Sequence, residues 1–249
     1  MSRSGADRRS RLRRLRAWCR SPQGRVWQAA AGAALEEVLP GLFGYHIVLL
    51  GPLCPGADLL AASRIRHRIV AGEPGWGGEA GLWARPEALP LASDSVDAVV
   101  LAHTLEFAAA PHQVLREVER VLIPEGHVVV LGFHPWSPWG AAWLAGRRRG
   151  GPWGERLLSP VRVRDWLALL GFDVVAERRL LRRPPLPAEG LLLRLRWLER
   201  PMARLRPPAG AYLLVGRKRV LTLTPVRPRW RRRAVTVPGL IKPTARGMR

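Results

Sequence analysis

The chain has 249 residues, 47% of them hydrophobic, which allows one domain with a sizeable core and excludes a largely disordered polypeptide. The net charge of +22 sits at the ends: residues 1–25 hold nine arginines against Asp7 alone, and residues 217–249 hold eleven Lys or Arg and no acid. No apolar run approaches the ~20 residues that cross a bilayer, and the Arg-rich start lacks a signal peptide's apolar stretch, so the expected location is cytoplasmic.

Basic ends attract polyanions through counterion release, which makes nucleic acid or an anionic surface a candidate partner. A solvated tail in an Arg-biased composition is the competing reading. Cys19 and Cys54 lie outside any Cys-x-x-Cys pattern, so the sequence implies neither a zinc knuckle nor a disulfide framework, and two thiols suit a reducing compartment.

Residues 1–22 read as a disordered basic arm, 23–220 as the folded domain and 221–249 as a basic tail. Residues 24–39 form a helix with Val26, Ala30, Ala33 and Val38 on one face, stopped by Pro40 and Gly41. The continuous apolar run HIVLL, residues 46–50, is a strand buried on both faces, as in a parallel sheet. A helical stretch over 57–64 follows, then a short strand over 68–71. A Gly-rich loop over 72–81 leads to a short third strand over 81–84. Residues 97–102 form the clearest strand.

An amphipathic helix over 111–121 carries Val114, Leu115, Val118, Val121 and Leu122 on one face. Pro124, Glu125 and Gly126 form a turn before a strand over 127–132. Ser159 and Pro160 open a helix that ends at Leu170, with Gly171 as its C′ residue. Strands follow over 172–177 and 211–215, with a helix at 190–200 between them. Strands alternating with helices suit right-handed βαβ units, and the late strand–connection–strand pattern leaves an antiparallel strand near one sheet edge.

Residues 87–133 carry an ordered set of features. They are Leu89-Pro90-Leu91, the polar Ser93-Asp94-Ser95, Val96-Asp97 opening a strand, Leu115-Arg116-Glu117, Arg120-Val121-Leu122 and Pro124-Glu125-Gly126. This segment resembles the type 11 methyltransferase family, which is class I and S-adenosylmethionine-dependent. Within that family the run LAHTLEF and the turn Gly132-Phe133-His134-Pro135-Trp136-Ser137 resemble a smaller bacterial subgroup of uncharacterised proteins. The resemblance implies a Rossmann-like α/β fold with strand order 3-2-1-4-5-7-6, strand seven antiparallel.

The resemblance also places S-adenosylmethionine after strand one, at Leu50-Gly51-Pro52-Leu53-Cys54-Pro55-Gly56. Of the family's Gly-x-Gly-x-Gly, only Gly51 is kept; Leu53 and Pro55 hold the other two positions, and Leu49 replaces an acid. Proline removes an N–H and fixes φ, so this loop takes another shape. Glu73, 22 residues after Gly51, is the candidate acceptor for the ribose hydroxyls. Arg85 stands where the family often has an acid for the adenine amino group, and Glu87 is its substitute, beside Leu89. Strand four ends at Ala102, facing the methionine part.

His103 would overlook the transfer site as a proton acceptor; its alternative is a histidine satisfied by loop backbone. Trp136 and Trp139 are candidates for stacking on an aromatic substrate or the sulfonium, or they simply pack a long loop. His46, His67, His112 and His127 share no spacing, so no metal site is expected. Gly75-Trp76-Gly77-Gly78 lacks a Lys-Ser/Thr pair and is not a phosphate loop.

Two functions remain open. One is a methyltransferase acting on a small-molecule acceptor. The other is a non-catalytic relative that serves as a binding or scaffold module, with RNA on its basic tails.

Overall fold

The computed structural model describes residues 13–51, 54, 58–73, 81–147, 156–181, 208–219 and 239. Among them, seven strands form one sheet in the order β3-β2-β1-β4-β5-β7-β6. They are β1 (His46–Leu50), β2 (His67–Gly72), β3 (Leu82–Trp83), β4 (Val96–Ala102), β5 (Leu122–Phe133), β6 (Phe172–Leu180) and β7 (Ala211–Lys218). β1 pairs in parallel with β2 and β4, β4 does so with β5, and β7 runs antiparallel between β5 and β6. This is the expected fold class.

The helices are α1 (residues 13–19), α2 (Pro22–Val38), α3 (Thr104–Phe107), α4 (Pro111–Val121), α5 (Pro138–Arg147) and α6 (Pro160–Leu169). Alternate residues of each central strand feed two cores, because successive side chains point to opposite faces. On one face Ile47, Leu49, Val100, Val129, Leu131 and Leu213 meet Leu15 of α1 and Trp27, Ala31, Ala34 and Leu35 of α2. On the other, Val48, Leu50, Val99, Leu101, Val130 and Leu214 meet Val114, Leu115 and Val118 of α4 and Val163 and Leu167 of α6. Each such aliphatic side chain, fully buried, contributes about 1.5–3 kcal/mol.

The motif residues of the 87–133 segment serve this scaffold. Asp97 Oδ2 accepts the N–H groups of Tyr45 and His46 at 2.9 and 2.8 Å, so the acid that opens β4 fixes the start of β1. Gly44, at φ +146°, passes against that same carboxylate. Glu117 of α4 accepts the Leu89 N–H at 2.8 Å, and Arg120 donates to the carbonyls of Leu89 and Leu91 and to Ser93 Oγ. Glu117 and Arg120 also pair at 2.7 Å. The hydrogen bond from Arg120 holds the Glu117 carboxyl below its ordinary range, despite partial burial. Lys218 ends β7 by donating to the carbonyls of Glu119 and Leu122, both at 2.8 Å, and to Asp94 at 3.0 Å.

Several sequence expectations are corrected. Residues 13–19, within the expected arm, are helical, and Leu15 is buried because Leu15, Trp18 and Cys19 share one face among the arginines. α2 buries Trp27, Ala31, Ala34 and Leu35, while Val26 is 56% exposed. The bulky Trp27 decides which stripe of this Ala-rich helix turns inward. Residues 59–62, within the stretch expected as helix, are turns. Glu125, at φ +63°, lies within β5, where the register shifts from Val96↔Leu122 to Ala98↔His127; the expected turn is an irregularity inside a longer strand. Trp139, expected in the long loop after strand five, lies in α5.

Cys19 and Cys54 form a disulfide. The end of α1 and the exit of β1 meet in space although 35 residues separate them, which spacing alone did not reveal. The argument from free thiols to a reducing compartment therefore fails. No helix of the described residues is long and apolar enough to cross a membrane. Residues 1–12, most of 220–249 and the expected helix at 190–200 lie outside the described residues.

Two outcomes follow. Glu117→Ala leaves the Leu89 N–H without its acceptor and is expected to cost about 1.5–3 kcal/mol in urea denaturation at neutral pH. Because the native carboxyl is held low, its stabilisation is present above the unfolded carboxylate range of about 4.3 and fades as pH falls through the native value. Glu117→Gln should flatten that acid limb. Cys19→Ser, which opens the 35-residue crosslink, is expected to lower stability by about 3–4 kcal/mol under oxidising conditions. Wild type and variant should converge once the disulfide is reduced.

Candidate active site

Chain order reverses between β1 and β4, since β2 and β3 extend from one side of β1 and β4 and β5 from the other. In open parallel sheets ligands settle outside the carboxyl ends at this crevice. Its floor is a backbone junction. Gly51, at φ +142°, passes so near β4 that a Cβ there would stand 2.1 Å from the Ala102 carbonyl oxygen. Thr104 Oγ1 donates to the Leu50 carbonyl at 2.6 Å and fastens the same junction. Glu73 follows β2 directly and is 7% exposed. The exits of β2, β1 and β4 thus bring Glu73, Gly51 and Ala102 to one sheet edge.

His103 is the next residue after Ala102. It is 2% exposed and adopts a left-handed φ of +57°. Its N–H donates to the Leu131 carbonyl at 3.1 Å, which joins the ends of β4 and β5. Its ring stacks on Phe133, with centroids 4.6 Å apart, and meets Trp27 of α2 at 4.9 Å. Its Nδ1 lies 2.7 Å from Glu106 Oε2, and Glu106 Oε1 accepts the Phe133 N–H at 2.7 Å.

The segment after β5 closes one side. His134 Nδ1 accepts the Trp136 N–H at 3.2 Å, so in the neutral ring the proton sits on Nε2. Burial, aided by the nearby Arg179 charge, holds His134 below the ordinary histidine range. Ser137 caps α5 by accepting the Gly140 N–H at 3.0 Å. Trp139 is buried and lies parallel to Phe133 at 6.2 Å, whereas Trp136 is 82% exposed. Only Trp139 of the two joins the buried aromatic group.

Beyond β3, Arg85 is exposed. Glu87 Oε1 accepts the Ala109 N–H at 3.2 Å, and Leu89 is buried in the α4 clasp. Pro52, Leu53, Pro55 and Gly56 lie outside the described residues, as do Gly75, Trp76, Gly77 and Gly78. Among the described residues, no three His, Cys, Asp or Glu side chains group to hold a metal.

Sequence reasoning passed over Glu106, Thr104 and the Cys19–Cys54 bridge. Glu106 carried a signal: the lone acid in the run LAHTLEF, three residues after His103. Thr104 carried none, because only the approach of β1 gives its hydroxyl a partner.

A family model described as a methyltransferase domain matches residues 76–130. The chain is 32% identical over 208 residues to the uncharacterised Escherichia coli K12 protein YafS, covering 83% of this chain and 82% of YafS. Among solved structures, a chain from the complex of the Haloferax volcanii Trm112 methyltransferase activator with a methyltransferase aligns over 80% of this chain and 91% of its own, at 19% identity and TM-score 0.57. A SAM-dependent methyltransferase from Archaeoglobus fulgidus aligns over 77% and 94%, at 13% identity and TM-score 0.55.

Gly51→Ala is expected to lose cooperative unfolding or to drop the thermal midpoint by several degrees. Its methyl group would meet backbone, which cannot swing aside, at a φ that L-residues rarely adopt. Thermal denaturation followed by circular dichroism checks this; a wild-type midpoint would show that β1 and β4 do not meet so closely.

Proposed function

We propose that this chain, which belongs to one family with YafS and matches a methyltransferase domain over residues 76–130, is a class I S-adenosylmethionine-dependent methyltransferase that methylates a small-molecule acceptor at the carboxyl edge of β1, β2 and β4. The observation that carries this reading is the Gly51–Ala102 junction at the point where strand order reverses. S-adenosylmethionine supplies, when bound, an electrophilic methyl group on a sulfonium.

The donor and acceptor set suits it. Glu73 is a carboxylate, which only accepts, and so matches the two donors of a ribose diol. Gly51 lines the β1 exit beneath the nucleoside, with Pro52 next in the sequence, and the backbone at Ala102 faces the methionine end. Glu87 serves the adenine amino group with the oxygen that Ala109 does not use, and Leu89 packs behind it. His103 stands at the transfer point as proton acceptor. It is 2% exposed, with the Trp27 ring 4.9 Å from its own. Methyl transfer itself depends chiefly on alignment of nucleophile, carbon and sulfur, which a rigid strand exit supports.

Calorimetric titration with S-adenosylmethionine and S-adenosylhomocysteine tests the reading. Both should bind, and Glu73→Ala should weaken each by about ten- to a hundredfold, the loss expected for hydrogen bonds to a charged group. Absence of heat from either ligand at millimolar concentration would overturn it.

A further inference from the structure

Glu106 sits three residues after His103, in the short helix α3. Both side chains are 2% exposed. A carboxylate at such a position costs desolvation that hydrogen bonds must offset. Here each oxygen has one strong partner: Oε1 takes the Phe133 N–H and Oε2 faces His103 Nδ1, both at 2.7 Å. An acceptor for the Phe133 N–H alone does not require a charge, since a neutral amide oxygen serves. The second oxygen is what the carboxylate adds, and it points at the imidazole.

That second contact fixes the chemistry of the ring. An ionised carboxylate has no proton to give, so Nδ1 must present its N–H, and in the neutral ring the lone pair then resides on Nε2. Stacking on Phe133 and contact with Trp27 hold the ring plane. The left-handed backbone of His103 adds a second departure from ease at the same residue, of the kind that gathers at functional sites. Tyr212, the other titratable side chain near Glu106, keeps its proton because burial raises it well above its ordinary value, and its hydroxyl donates to the Leu158 carbonyl.

We propose that Glu106 is the positioning residue for methyl transfer: it holds His103 as the Nδ1–H tautomer, so that Nε2 takes the acceptor's proton. The inference rests on the methyltransferase reading above. As the acceptor's O–H or N–H bond breaks, its heavy atom bonds the methyl carbon and the carbon–sulfur bond breaks. The proton passes to Nε2, and the resulting imidazolium faces the Glu106 carboxylate. The products are the methylated acceptor and the neutral thioether.

The tautomer is read directly by long-range 1H–15N correlation on protein labelled at its histidine ring nitrogens, with His103 assigned by its loss in His103→Asn. Wild type at mildly alkaline pH should show a pyrrole-like Nδ1 and a pyridine-like Nε2. Glu106→Gln supplies one oxygen, which Phe133 N–H requires, so its amide NH2 faces Nδ1 and drives the ring proton to Nε2. The two 15N signals should therefore exchange character, a change that loss of a merely structural contact does not produce. A wild-type ring protonated on Nε2 alone, a doubly protonated ring, or a tautomer unchanged in Glu106→Gln overturns the proposal. The wild-type spectrum decides even if the variant does not fold. Titrating the same wild-type sample with S-adenosylmethionine separates the two readings. A wrong tautomer with cofactor bound sinks the Glu106 role alone, and a correct tautomer with no cofactor binding sinks the methyltransferase reading.

Discussion

The close passage of Gly51 beneath the Ala102 carbonyl is the constraint on which the rest of the molecule turns. It brings the exits of β1 and β4 within touching distance, and so sets where the crevice of the sheet opens. Thr104 can reach the Leu50 carbonyl only because of that approach. The chain then has no slack after β4. Ala102 ends the strand, His103 enters a left-handed conformation, and α3 starts at once. A positive φ at a histidine is tolerated only where its surroundings over-determine it. Here the Leu131 carbonyl, Glu106, Phe133 and Trp27 all do so.

The residues that make the chain recognisable hold the frame on which the site rests. Asp97 binds the start of β1, at the end of the sheet opposite the crevice. Glu117 and Arg120 hold the Leu89–Ser93 turn to α4. A motif of this kind reports that the sheet is built, while the proposed chemistry rests on other positions, Glu73, His103 and Glu106. Fold and function are separate inferences for that reason.

The sheet was legible because its central strands are continuous apolar runs, which only a layer covered on both faces can bury. HIVLL and the run from Val96 to Ala102 leave no other placement. α4 was legible to the residue because Pro111 starts it and its apolar stripe is clean. α2 was read on the wrong face, since alanines at nearly every spacing give no stripe and one tryptophan decides the matter. α1 was missed because arginines surround Leu15, Trp18 and Cys19, although the three residues share helical spacing. His103 and Glu73 were singled out for places at strand ends, and they do follow β4 and β2 directly. Glu106 was missed although it stands three residues after His103, because its second partner, the Phe133 N–H on β5, appears only in the fold.

The crosslink between Cys19 and Cys54 bears on the loss of glycines after β1. A Gly-x-Gly-x-Gly loop reaches its shape through backbone freedom and loses more entropy than other residues when it is ordered. Pro52 and Pro55 begin with two φ angles already set, so less freedom remains to be lost. A disulfide three residues beyond Gly51 restricts the unfolded chain further and anchors this segment to the end of α1. The same α1 leads through the Ser21 cap into α2, whose Trp27 covers His103. One covalent bond therefore joins the start of the crevice to the helices that roof it. Gly51 retains the conformational freedom that close approach to β4 demands.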